Sequence, residues 1–145
     1  MSQENVEMIR AIYGDAGLPY RHPERLIDVW EPNGDYYPVA KFPESRPCHG
    51  VDEIVRFVTE FHEAWDSVDA TTESLIAIGD DRVLVRVDLR AEGRESGLNL
   101  GGEVFFCLWL RHGKIFRQED HLTLRGALHA LGLSGETLEE AGLSE

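Results

Sequence analysis

Val51-Asp52-Glu53-Ile54-Val55-Arg56-Phe57-Val58-Thr59-Glu60-Phe61-His62-Glu63-Ala64-Trp65 reads as a long amphipathic helix. Ile54, Phe57, Val58, Phe61 and Trp65 form one wide apolar stripe, and Asp52, Glu53, Arg56, Glu60 and Glu63 fall mostly elsewhere. After Ser67 the period changes to two. Leu75-Ile76-Ala77-Ile78 stops at Gly79-Asp80-Asp81, a hairpin signal, and Val83 to Arg90 follows as a strand. Its two faces are Val83, Val85, Val87, Leu89 and Leu84, Arg86, Asp88, Arg90. A helix with a buried stripe, followed by alternating strands, predicts helices packed on one face of an antiparallel sheet.

The rest of the chain fits this frame. Upstream, Val6, Ile9, Ile12 and Tyr13 recur at helical spacing behind Ser2, a predicted N-cap, and Gly14 to Gly17 ends that helix before Pro19. Pro23 suits the first turn of a second helix carrying Leu26, Ile27, Val29 and Trp30, closed by Pro32-Asn33-Gly34. Asp35 to Val39 reads as a short strand, and Pro38 confines it to an edge or an end. Residues 40–50 read as a loop. Downstream, a glycine-rich turn at 93–97 leads to Val104-Phe105-Phe106-Cys107-Leu108-Trp109-Leu110, apolar on both faces and therefore covered on both. A tight turn at 111–114 precedes a last strand from Ile115 to Leu122. Thr123 caps a short helix through Leu131, and Ser134 begins another. One α+β domain spanning residues 1–145 is expected.

Composition bounds the function. Apolar residues make up 42% of the 145 positions, enough for a packed core. The net charge of −13, from 27 acidic and 14 basic residues, repels phosphate backbones and anionic lipid, so neither nucleic acid nor membrane is an expected partner. The acidic N-terminus is unlike a signal peptide, and no apolar run approaches the roughly 20 residues of a membrane span. Cys48 and Cys107 read as free thiols in a reducing cytoplasm. The six histidines (His22, His49, His62, His112, His121 and His129) show no metal-ligand spacing, and no phosphate loop is present, so no metal or cofactor is expected.

The residues MSQENVEMIRAIY at the start and LRHGKI before the last strand, with this order of elements, resemble the SnoaL-like branch of the nuclear-transport-factor-2-like superfamily. The resemblance covers nearly the whole chain. It implies a curved sheet wrapped around the long helix as a cone open at one end. It also implies a small-molecule ligand and a homodimer paired through the convex sheet face. Members include polyketide cyclases, ketosteroid isomerases, limonene epoxide hydrolases and scytalone dehydratases, and others only bind ligands or partners, so fold does not give function.

Two sets of residues are candidates for chemistry. Arg86 and Asp88 share a strand face, and Asp120 lies on the last strand. If the strands neighbour each other, Arg86 would bridge the two carboxylates, holding one ionised as base and leaving the other as acid. RVDLRA and the stretch Gly113 to Asp120 are similar to the epoxide hydrolase arrangement, which implies Asp120 as general base, Asp88 as general acid and Arg86 as the bridge. Tyr36 matches that family's water-holding tyrosine, whereas its asparagine position falls on Pro38. Tyr13 matches the first-helix tyrosine of ketosteroid isomerase, whose catalytic carboxylate is replaced here by Tyr37. The second set is a pocket lined by Tyr13, Trp30, Tyr36, Phe57, Phe61 and Phe106, from the elements that would close the cone. Phe105 and Phe106 cannot be told apart as its lining residue. The expected function is a cofactor-free acid–base enzyme (an epoxide hydrolase, cyclase or dehydratase) acting on a small neutral apolar substrate. A non-catalytic binding domain and an interaction module with a filled cavity are the alternatives. The expected dimer face is Val83, Val85, Val87 and Leu89, whose exposure would leave an apolar patch.

Overall fold

A computed structural model describes residues 2–40, 45–93 and 99–133, except the side chains of residues 99 and 100. Helix α1 (Gln3–Tyr13) begins where the Ser2 hydroxyl accepts a hydrogen bond from the Asn5 amide, and it buries Ile9, Ile12 and Tyr13. Helix α2 (Leu18–Arg21) is a single turn, followed by a 3₁₀ turn (Pro23–Asp28). Helix α3 (Val51–Ala64) buries Val51, Ile54, Phe57, Val58 and Phe61, the apolar stripe read from its spacing. A short helix α4 (Leu124–Ala130) is capped by Thr123, whose Oγ1 accepts from the Gly126 amide at 3.0 Å.

The strands are β1 (Trp30–Tyr37), β2 (Cys48–His49), β3 (Trp65–Ile78), β4 (Arg82–Gly93), β5 (Asn99–Arg111) and β6 (Lys114–His121). They form one curved sheet in the order β2-β1-β6-β5-β4-β3. The run from β3 to β6 is an antiparallel meander, but β1 lies parallel to β6, so the sheet is not wholly antiparallel. At the turn from β5 to β6, His112 and Gly113 have φ of 52° and 74°, the left-handed pair that suits a tight hairpin.

Three expectations are corrected. The second helix is only the 3₁₀ turn, and Trp30 opens β1 instead of ending a helix. Proline is tolerated within β1 because Pro32 lies in an irregularity, where the register with β6 shifts between Trp30 and Asp35. Val83, Val85, Val87 and Leu89 face inward, 0–1% exposed, so they are core and not a dimer face. The expected helix from Ser134 and the glycine-rich turn after Gly93 lie outside the described residues.

The sheet separates two apolar layers. Its inner face packs on α1, the 3₁₀ turn and α3 through Val83, Val85, Val87, Leu89, Phe106 and Leu108. On its outer face Leu84, Phe105 and Cys107 pack under α4 against Leu124, Ala127, Leu128 and Leu131. β5 is therefore covered on both sides, and Phe106, not Phe105, points inward. Cys48 and Cys107 are buried free thiols.

Candidate functional site

Strand alternation decides which groups meet. In the register of β4, β5 and β6, Val85 pairs with Phe106 and Phe106 with Asp120. Residues directly opposite in a sheet share a face, so Asp120 joins the inner layer. Arg86 instead pairs with Phe105 and Phe105 with His121, which puts Arg86 and Asp88 on the outer face.

The expected Arg86–Asp88–Asp120 set is therefore split by the sheet. Arg86 bonds to Glu103 at 2.7 Å and lies 5.5 Å over the Phe105 ring. Asp88 pairs with Arg90 at 3.2 Å. Both are partly exposed surface pairs with a supporting role at most. Among the described residues, no guanidinium bonds to Asp120.

Asp120 sits inside, 8% exposed. Tyr36 donates its hydroxyl to Oδ2, and Gln118 Nε2 donates to Oδ1 at 2.7 Å. The chain extends outward: Tyr13 donates to Gln118 Oε1 at 2.9 Å, and Trp30 Nε1 donates to the Tyr13 hydroxyl at 3.2 Å. Tyr13 is itself placed by Thr72, whose Oγ1 donates to the Tyr13 carbonyl at 2.7 Å and accepts from Ala16 N at 3.0 Å. From Trp30 through Tyr13 and Gln118, and separately from Tyr36, each side-chain hydrogen is directed toward Asp120.

Burial dominates the electrostatics. Desolvation raises the Asp120 carboxyl from 3.8 to about 7, although the bonds from Gln118 and Tyr36 favour its charged form. A carboxyl at that value exchanges its proton near neutral pH. Burial, and then the nearby Asp120 charge, pushes the Tyr36 hydroxyl well above its ordinary value. Tyr13 and Tyr20 move in the same direction, also chiefly through burial.

A narrow, open-mouthed cavity adjoins this network, with about 30 Å³ of room for the centres of water-sized molecules. Tyr13, Tyr20, Tyr36 and Gln118 are its polar lining residues, and Phe106 lies in the same wall. Ala16, Pro19, Leu26, Ile54 and Val58 form the remaining wall. Of the six expected pocket residues, Tyr13, Tyr36 and Phe106 line this space. Trp30, Phe57 and Phe61 are buried behind it: Phe57 meets Tyr36 edge-on at 5.8 Å, and Phe61 packs on Tyr20 at 5.7 Å. Asp120 reaches the cavity through Tyr36 and Gln118 and is not part of its wall.

Two residues escaped the sequence reading. Gln118 lies two positions before Asp120, so alternation alone puts both on one face. Tyr20 belongs to the Pro19 helix break and carries no pattern that marks it.

Among the described residues, no three histidine, cysteine, aspartate or glutamate side chains gather as metal ligands. Nor is any helix there long and apolar enough to cross a membrane.

Solved structures share this fold. A protein described as a SnoaL-like polyketide cyclase from Jannaschia sp. CCS1 aligns with a TM-score of 0.69 at 15% identity, covering 92% of this chain and 97% of that one. TerC, co-crystallised with polyporic acid, aligns with a TM-score of 0.67 at 23% identity, covering 89% and 98%. A Catenulispora acidiphila DSM 44928 protein of ketosteroid isomerase-like fold, in complex with trimethylamine, aligns with a TM-score of 0.64 at 17% identity, covering 94% and 98%. Comparison with curated proteins finds no match. The SnoaL-like domain profile matches residues 9–118, and the chain belongs to the SnoaL-like domain family.

Proposed function

We propose that this protein binds a small, neutral, largely apolar molecule and moves a proton on it without a cofactor. Tyr36 would touch the ligand and Asp120 would hold the proton. The observation that carries this reading is the hydrogen bond that Tyr36, a residue of the cavity wall, donates to buried Asp120. A ligand proton passes to the Tyr36 oxygen while the Tyr36 proton passes to Asp120 Oδ2, and the reverse transfer returns a proton to another position. One proton enters and one leaves, so an isomerisation or cyclisation balances with no co-reactant. Epoxide opening fits less well, because the second carboxylate and the arginine it would use lie across the sheet. Two proteins of the same fold hold small organic molecules, which supports a ligand-binding role for the cavity.

A binding-only role is the second reading. It is favoured by one specific observation: both Asp120 oxygens already accept hydrogen bonds from side chains. The two readings separate by hydrogen exchange in heavy water. Small enolisable ketones and neutral epoxides are incubated with the protein, and NMR follows exchange beside the carbonyl and opening of the epoxide. The enzyme reading expects exchange that falls about 10²-fold or more in Asp120→Asn and Tyr36→Phe, the scale of an acid–base group. Molecules that bind wild type without exchange or turnover establish the binding-only role instead.

The two buried free thiols suit a reducing cytoplasm as the place of action. Pairing of two copies through the outer sheet face also remains a proposal.

A further inference from the structure

Three phenols line the cavity, and their hydrogens have different fates. Tyr13 gives its hydrogen to Gln118, and Tyr36 gives its own to Asp120. Tyr20 lines the same space, its ring packed on Phe61 at 5.7 Å, and its hydroxyl has no hydrogen-bond partner among the described residues. Tyr20 is partly buried and its hydroxyl borders this open-mouthed space, so a ligand acceptor would take the place of water there and contribute about 0.5–1.5 kcal/mol, the net worth of a neutral hydrogen bond.

The kind of group that would satisfy it follows from the rest of the wall. The acceptor on this side of the sheet, Asp120, is already supplied by Tyr36 and Gln118. Burial keeps the Tyr20 phenol protonated, so it offers a hydrogen. An anionic acceptor would meet the Asp120 charge and the net −13 of the chain. A neutral acceptor oxygen on a flat apolar body avoids that repulsion and packs against Pro19, Leu26 and Val58.

We infer that Tyr20 is the ligand-recognising donor of this cavity, giving its hydroxyl hydrogen to a neutral carbonyl-type oxygen. This rests on the cavity being the ligand site, and it adds a recognition residue at the wall nearest α2. Tyr20 holds the oxygen of the ligand, and the Tyr36–Asp120 pair faces its carbon skeleton. Substrates would then be ketones, lactones or quinone-like carbonyls in preference to hydrocarbons, alcohols or carboxylates.

The test uses two probes of the same shape, para-fluoroacetophenone and para-fluoroethylbenzene, with binding followed by fluorine NMR. Wild type is expected to bind the ketone about 5- to 10-fold tighter than the hydrocarbon, the worth of one neutral hydrogen bond. Tyr20→Phe should bring the two affinities within about twofold of each other by weakening the ketone alone. Unchanged affinity for the hydrocarbon shows that the variant's pocket is intact. Tyr36→Phe should keep the ketone preference. A preference that survives in Tyr20→Phe, or equal binding of both probes by wild type, overturns the assignment and leaves the pocket reading standing. Failure of wild type to bind either probe overturns both.

Discussion

Asp120 shows how burial and partners act against each other on one side chain. Its carboxyl titrates at about 7 in the fold against 3.8 for the free group, so between these values the folded state holds more protons than the unfolded chain. Stability from this group is present at low pH and is lost as pH rises through about 7. Asp120→Asn removes the titration while keeping the shape. Its melting temperature relative to wild type should rise between pH 5 and pH 8 by on the order of 5 °C, as calorimetry would show. A constant difference across that range would mean that Asp120 is ionised throughout. Asp120 was legible in the sequence as a candidate, but its partners were not. Alternation puts Arg86 and Asp88 on one face of their strand, yet which face Asp120 shares depends on the register across β5. A shift of one residue exchanges the faces, and no single-strand pattern fixes that register.

Elements were legible in proportion to the strength of their periodicity. Helix α3 buries one clean stripe and strand β4 alternates along most of its length, so both were readable from spacing alone. β3 runs from Trp65, although only its last four residues form an apolar run in the sequence. It is an edge strand with a polar outer side and two irregularities in its pairing, so its alternation is weak. β1 was hidden for a different reason: the Pro32-Asn33-Gly34 stretch reads as a helix terminator but forms an irregular piece of strand. Gly34 serves packing there. A Cβ at this position would lie 2.5 Å from the Trp30 ring, which is buried and cannot swing away. Gly34→Ala should therefore cost about 1–3 kcal/mol in urea unfolding, as overpacking does. Because Trp30 donates to Tyr13, the variant should also change Trp30 fluorescence in the folded state. Wild-type stability in Gly34→Ala would show that β1 has slack to move away.

At the scale of the whole molecule, the outer face of the sheet is the surface whose partner is open. Helix α4 covers its apolar part, and what remains is a ladder of charges: Arg86 with Glu103, Asp88 with Arg90, Arg117 with Glu119. Trp109 lies half-buried at its edge, 5.7 Å from the Arg117 guanidinium. The expected reason for a dimer, an exposed valine and leucine row, is gone, because that row is core. A ladder of alternating sign is self-complementary in another way, since a copy related by a twofold axis offers each charge an opposite one. Each charge is already paired within its own chain, so a second copy would gain only the modest worth of surface pairs, about 0–1 kcal/mol each. Salt would screen them further. The dimer expected here is therefore weak and salt-sensitive. Light scattering near millimolar protein should give a mass above the 16.4 kDa of one chain at low ionic strength, falling toward that mass near 1 M salt. Arg86→Glu, placed beside Glu103, should lower the mass at low salt as well. A monomer mass at low salt would rule out pairing through this face, and a dimer indifferent to both salt and Arg86→Glu would mean that apolar contacts elsewhere hold it.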